Sequence, residues 1–465
     1  MPDFKEHSLS VLKPVPANRR PSVPSSPMIS PAAGIPLSPY SKQQLSQFDL
    51  NDYHKLSLPP SIATHPTSPI LSSNGNALDT QCNLLMQHPD SNIDICLSVP
   101  AYEIEIDHND LMAGVATVID SVFPEWQVDQ DVRLVQCTNG ITNKLVKCTH
   151  IPTGNSVLVR TYGRGSSVLI DRGQELVNML VLSRRDMCPP LYARFTNGIV
   201  YGFTEGEVFT VSDMSDRHKS QEVAKHLAIW HNVTLPIDRV PRLFHTLWRW
   251  IDAIPQTYSN SAKAEKFRSS GVTLDYLRSD LLILQKHLES LNNPVVFCHC
   301  DLLSGNIIYS PTRDCVSFID YEYGCYSYRG FDIANHFCEW AGFDCDWSLY
   351  PTEQQQKAWL STYWAQSFYI ASLNNTLPIN ISNDSTTTTG AKFTFQQSKN
   401  VKAPTEEQLN ALYKETLKFS LAAHFFWAVW ALIQAEVSDL DFDYLDYAML
   451  RLNEYNRRKE KWLAL

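Results

Sequence analysis

No apolar run near the start of this 465-residue chain resembles a secretory signal, which removes the usual route to an oxidising compartment. The eleven cysteines form no Cys-x-x-Cys pair and keep no regular spacing. Cys298-His299-Cys300 is too tight for the common zinc layouts, so free thiols in a reducing compartment are expected. Long hydrophobic runs are also lacking. The longest, Phe425 to Ile433, is about half a membrane span and is bracketed by His424 and Gln434, so the expectation is a cytoplasmic protein with no stable membrane insertion. Positive charge is scarce: 39 Lys and Arg against 49 Asp and Glu leave a net charge of −10, and nothing recommends nucleic acid as a partner. Neither Gly-x-Gly-x-x-Gly nor a Walker sequence occurs, so a phosphate site would have to be built by other means.

What is present is concentrated in two short motifs. Cys298-His299-Cys300-Asp301-Leu302-Leu303-Ser304-Gly305-Asn306 places Asp301 and Asn306 five residues apart, and Phe318-Ile319-Asp320-Tyr321-Glu322 puts Asp320 fourteen further on. That spacing suits phosphoryl transfer. Asp301 would orient or deprotonate an attacking hydroxyl, and Asn306 and Asp320 would hold the magnesium ions that bridge nucleotide phosphates. The apolar runs before each motif, Val295-Val296-Phe297 and Val316-Ser317-Phe318-Ile319, read as short buried strands that deliver these groups to one cleft. The competing reading is that Asp and Asn are simply common turn residues after strands.

The hydrophobic fraction of 44% supports a substantial core, and the length allows two to three core-sized units. Residues 1–104 read as a disordered tail, because the first hundred residues hold fifteen of the 27 prolines and little periodic hydrophobicity. Ser26-Pro27, Ser30-Pro31, Ser38-Pro39 and Ser68-Pro69 are candidates for proline-directed kinases, and Ser22 after Arg19-Arg20-Pro21 for a basophilic one. A second polar stretch, 372–404, reads as a disordered surface insertion. Between them come a helix from Asp110 to Val122, strands at Val132–Cys137, Lys144–Thr149 and Ser156–Tyr162, a helix from about Asp171 to Arg184, and strands at Leu191–Phe195 and Ile199–Phe203. From His218 onward the pattern is mainly helical. The predicted fold class is α+β, a protein-kinase-like two-lobed plan with a small β-rich N-lobe over 105–208 and a large, mostly helical C-lobe over 209–465.

In the N-lobe, the turn Cys137-Thr138-Asn139-Gly140-Ile141-Thr142-Asn143-Lys144 offers Asn139, Gly140, Thr142 and Asn143 as phosphate contacts through small polar groups and backbone N–H. An ordinary hairpin turn explains the same residues. Arg160 ends the third strand where protein kinases use a lysine, and Glu175 on the next helix is placed to pair with it. An exposed strand-end arginine is the plainer alternative.

The chain continues from Asp320 through Tyr321-Glu322-Tyr323 to Phe331-Asp332-Ile333-Ala334-Asn335-His336-Phe337. No Ala-Pro-Glu anchor follows, which argues against a protein substrate. These segments resemble the choline/ethanolamine kinase family, with its His-Asn-Asp-x-x-x-x-Asn, Ile-Asp-[Phe/Tyr]-Glu-Tyr and Phe-Asp-Ile-x-Asn-His-Phe motifs, from about Val132 to Arg457. Thr138 to Leu145, the tyrosine in Ile319-Asp320-Tyr321 and His424 to Ala435 look more like ethanolamine kinase. Phe337-Cys338-Glu339-Trp340 resembles the choline kinase wording, and Cys300 departs from the family's Asn. The resemblance implies transfer of phosphate from ATP to ethanolamine, with Asp301 as base and Asn306 and Asp320 as Mg2+ ligands. It also implies an amine pocket of Glu339, Trp427, Trp430, Tyr447 and Asp301, whose aromatic faces attract an ammonium. Without it, aromatic residues at helical spacing read as core. The expected partners are ATP and a small amino alcohol, with a homodimer and regulatory kinases acting on the tail completing the set. A choline or dual-specificity kinase, a kinase of another small alcohol, and a catalytically dead scaffold remain as alternatives.

Overall fold

The computed structural model describes residues 99–137, 143–163, 168–376 and 403–465. A six-stranded sheet comes first. Its strands are β1 (Ala101–Tyr102), β2 (Val132–Cys137), β3 (Asn143–His150), β4 (Ser156–Tyr162), β5 (Leu191–Phe195) and β6 (Gly198–Gly202), in the order β1-β5-β6-β4-β3-β2. β4 carries Val157-Leu158-Val159 between two neighbours, and its interior is buried on both faces, as a β-branched central strand requires. Helix α1 (Leu111–Val122) turns Leu111, Val115, Val118 and Ile119 inward, an i, i+4, i+7, i+8 stripe that packs on Val146, Val159 and Val200 of the sheet. Helix α2 (Arg172–Ser183) is started by Asp171, whose carboxylate accepts the Gln174 N–H at 3.1 Å. These elements lie within a residue or two of where the sequence pattern placed them.

Two corrections apply at the edges. The stretch assigned to the disordered tail, 1–104, includes β1, which pairs in parallel with β5 through Ala101↔Arg194 and Tyr102↔Phe195, and Val99, which is buried. A two-residue strand carries no periodicity of its own; its order comes from an edge strand distant in sequence. The polar stretch 372–404 likewise begins as helix, because the helix over Glu353–Thr376 continues through its first residues. The five Ser sites of the tail, the core of that stretch, and Asn139, Gly140 and Thr142 lie outside the described residues.

After β7 (Glu207–Val208) the chain becomes mainly helical: α3 (Arg217–Trp230), α4 (Leu243–Ala253), α5 (Ser261–Ser269), α6 (Leu274–Glu289), α7 (Arg329–Cys338), α8 (Glu353–Thr376), α9 (Glu406–Val437) and α10 (Tyr444–Leu463). Thr405 and Gln408 start α9 with a reciprocal capping box. By length and composition α9 would span a membrane, but 94% of its apolar window is buried inside the protein, so it is a core helix. It packs along α10 and α7 around Phe419, Phe425, Phe331 and Tyr455. Two small β units interrupt the helices: the antiparallel ribbon of β8 (Val295–Cys298) with β11 (Cys325–Tyr328), and the hairpin of β9 (Ile307–Ser310) with β10 (Cys315–Phe318), extended by β7. Their ends carry the two motifs to the base of the six-stranded sheet.

Candidate active site

β8 is held in register by β11, with Cys298 opposite Cys325, and its end delivers His299, Cys300 and Asp301. The loop is braced from α7. Fully buried Asp332 accepts the backbone N–H of His299 at 2.8 Å and of Cys300 at 2.7 Å, and meets His231 Nε2 at 3.0 Å. Burial alone would raise the Asp332 carboxyl; the His231 hydrogen bond and nearby histidines outweigh it and hold it below the usual range. His299 is kept neutral by burial. Its Nδ1 faces the Asp301 N–H at 3.3 Å, which makes Nε2 the protonated nitrogen, donating to the Ile319 carbonyl at 3.0 Å. One imidazole therefore ties the Asp301 loop to the residue before Asp320.

Asp301 is 7% exposed. Its Oδ2 accepts from Asn306 Nδ2 at 3.1 Å, and the same amide donates to the Asp301 carbonyl at 2.9 Å. Burial, then the charges of Asp320, Glu339 and Glu322, push the Asp301 carboxyl well above its ordinary value. Asp320 follows β10 in the left-handed region (φ +64°). Burial and the Glu322 charge push its carboxyl up to about 7, against the pull of Arg160. Glu322 goes the other way: burial would raise it, but Arg172 and Arg160 hold it below its ordinary range.

Arg160 is buried rather than an exposed strand end. It pairs with Glu175 on α2, as expected, and reaches Asp320 Oδ1 with Nη1 at 3.3 Å. Arg172, which the sequence reading passed over, bridges Glu175 at 3.1 Å, Glu322 at 2.8 Å and Asn143 Oδ1 at 3.0 Å. The side chain of Asn143 also donates to Glu322 at 2.9 Å, so its amide braces the start of β3 instead of lying open to phosphate.

Carboxylate oxygens of Glu175, Asp320 and Glu322 approach closely enough to share a cation. Glu175 and Glu322 are buried against arginines; Asp320 also meets Arg160 through Oδ1, but its side chain is 33% exposed, and it borders the cleft together with Asn306. A carboxylate and an amide oxygen are the hard donors that fit Mg2+.

The same cleft, which holds about 520 Å3, is also lined by aromatic side chains. Trp427 and Trp430 on α9 meet edge to face at 5.4 Å, and Trp430 and Tyr447 at 6.5 Å. Both indole N–H groups are occupied, Trp427 by Asn335 Oδ1 at 2.7 Å and Trp430 by the Tyr323 hydroxyl at 2.8 Å, so the rings offer their faces and edges. Glu339 is buried beside them and pairs with Arg451. Of the sequence-predicted residues described here, Asp301, Asn306, Asp320, Asn143, Arg160, Glu339, Trp427, Trp430 and Tyr447 border one cleft, and Glu175 stands behind Arg160. Sequence reasoning missed Tyr323, Asp332, Arg172 and Arg451. Tyr323 and Asp332 lie inside motifs already singled out, and Arg451 falls one helical turn after Tyr447 on a buried face, which is a weak signal by itself.

The arrangement joins an acidic, metal-compatible centre to an aromatic pocket within one cleft. The sequence profile described as choline/ethanolamine kinase matches residues 134–456. A probable ethanolamine kinase of Nematostella vectensis is 36% identical over 375 residues, covering 79% of this chain and 99% of that protein. Ethanolamine kinase 2 of Homo sapiens is 35% identical, over 79% of this chain and 86% of that one. The solved structure of an ethanolamine kinase from Plasmodium vivax superposes with a TM-score of 0.61 at 26% identity, covering 83% and 95% of the two chains. A choline kinase from Cryptosporidium parvum shares the fold, with a TM-score of 0.58 at 20% identity over 76% and 96%. The two-lobed, protein-kinase-like plan expected from sequence is the observed one, and this chain belongs to the choline/ethanolamine kinase family.

Proposed function

We propose that this protein transfers the terminal phosphoryl group of ATP to the hydroxyl of ethanolamine, giving phosphoethanolamine and ADP. The reaction opens the CDP-ethanolamine route to phosphatidylethanolamine and takes place in the cytoplasm. The observation that carries the proposal is that Asp301, Asn306 and Asp320 border the same cleft as Glu339, Trp427, Trp430 and Tyr447. Ethanolamine lies with its ammonium among Trp427, Trp430, Tyr447 and Glu339, and its hydroxyl against Asp301. Asp301 accepts the hydroxyl proton as the bond to phosphorus forms; burial and neighbouring carboxylates make it a stronger base than a free carboxylate. Mg2+, when held by Asn306 and Asp320, supplies charge neutralisation on the phosphates. Arg160 adds a fixed positive charge on the nucleotide side, kept in place by Glu175. The protein's contribution is placement and electrostatics, since phosphoryl transfer asks little covalent chemistry of it.

Phosphorylation of ethanolamine and choline, measured side by side with Asp301→Asn as control, tests the proposal. The expected outcome is a higher kcat/KM for ethanolamine, reduced about a thousandfold in the mutant. A preference for choline would retain the mechanism and overturn the substrate.

A further inference from the structure

Arg451 is 1% exposed on α10 and does not border the cleft; it stands behind two residues that do. Its Nη2 binds Glu339 Oε1, and its Nε and Nη2 reach the Tyr447 hydroxyl at 2.9 and 2.7 Å. The guanidinium also lies 5.2 Å from the Tyr447 ring centre and 5.6 Å from that of Trp347. A planar fork that grips a carboxylate and a phenol together fixes both, which a flexible ammonium would not do.

We propose that Arg451 is a positioning residue that sets the preference of the amine pocket for a primary over a quaternary ammonium. This inference rests on the substrate reading above. Arg451 occupies Glu339 Oε1 and both acceptor directions of the Tyr447 hydroxyl. The second Glu339 oxygen has no hydrogen bond among the described residues and is left as an acceptor for an ammonium N–H. Tyr447 is left to present its ring. The charged and titratable groups that act on Glu339 are Asp301 from the β8 loop, Cys338 at the end of α7, Cys345 in the following loop, and Tyr447 and Arg451 on α10. Arg451 supplies the positive charge in that set. A primary ammonium carries three N–H groups that need acceptors, whereas a trimethylated one has none and relies on aromatic faces. Loosening the carboxylate therefore penalises ethanolamine more than choline.

The test is steady-state kinetics of the full chain carrying Arg451→Met or Arg451→Lys, on both amines, beside thermal melts. Arg451→Met is expected to raise the ethanolamine KM about tenfold with kcat and the ATP KM nearly unchanged, and to shrink the ethanolamine-to-choline ratio of kcat/KM about fivefold. Arg451→Lys keeps the charge but not the fork, and should give about a threefold rise. Removing one side of a buried ion pair can prevent folding. If Arg451→Met does not fold, the lysine variant decides. An ethanolamine KM that does not move in a folded variant, or one that rises by the same factor for both amines, overturns the inference. Wild-type protein that phosphorylates neither amine would instead sink the substrate reading on which it rests.

Discussion

Cys300 stands where the sequence reading expected an asparagine, on a backbone under stress. Its φ of +66° lies in the left-handed region, which asparagine tolerates and most other side chains do not. An asparagine there relieves about 1 kcal/mol of backbone strain. The pocket around the side chain pulls the other way. Cys300 is 3% exposed and its Sγ lies 3.8 Å from Cys325 Sγ, so an amide placed there would meet a thiol that is a weak hydrogen-bond partner. Leaving a buried amide unsatisfied costs about 1–3 kcal/mol, which outweighs the relief. Cys300→Asn alone is therefore expected to lose about 1 kcal/mol in denaturant unfolding, and Cys300→Asn with Cys325→Ser to recover most of it. A single mutant more stable than wild type would show that strain, not solvation, governs the site.

At the level of elements, the six-stranded sheet constrains the site through its tightest turn. A Cβ on Gly198 would lie 2.2 Å from the Arg160 carbonyl oxygen and 2.3 Å from Phe195 Cζ. The first is backbone of β4, the strand that aims Arg160 at Asp320, and it cannot move aside without shifting that pair. Gly198→Ala should cost about 1–3 kcal/mol of stability and raise the KM for ATP, while leaving the KM for ethanolamine alone. An equal rise in both would mean that the sheet and the amine pocket move together.

Elements and site differ in how much of each the sequence announces. β2 and β4 were legible because their Val- and Leu-rich runs end in turn residues, and Asp301, Asn306 and Asp320 because they sit on one short supersecondary unit. Pairings across long separations were not. Arg451 meets Glu339 from 112 residues away and Asp332 meets His299 from 33, and no local pattern records either. The helix α9 was legible by the length of its apolar run: Phe425 to Ile433 is about half a membrane span, and the burial of the helix agrees with a core element.

For the molecule as a whole, the question is where the folded unit begins. The family match starts at residue 134, yet the sheet's contacts reach back to Pro100, whose carbonyl accepts the Arg194 N–H at 2.9 Å. Ile106, 1% exposed, packs on α1, and the side chain of Asn197 both accepts the Ile106 N–H at 3.0 Å and donates to its carbonyl at 2.9 Å. β1 adds its pairing to β5. Two truncations separate the alternatives. A chain starting at 99 keeps all of these contacts and is expected to match the full-length protein in melting temperature and in kcat/KM. A chain starting at 108 uncovers β5, leaves Asn197 without its partner and exposes the apolar face that Ile106 covers. Burying one large aliphatic side chain contributes about 1.5–3 kcal/mol, so the shorter chain should unfold several degrees lower. Its kcat should survive at low temperature, because none of the described residues it loses borders the cleft. Equal stability of the two truncations would place the start of the folded unit after Ile106 and make the β1 pairing incidental.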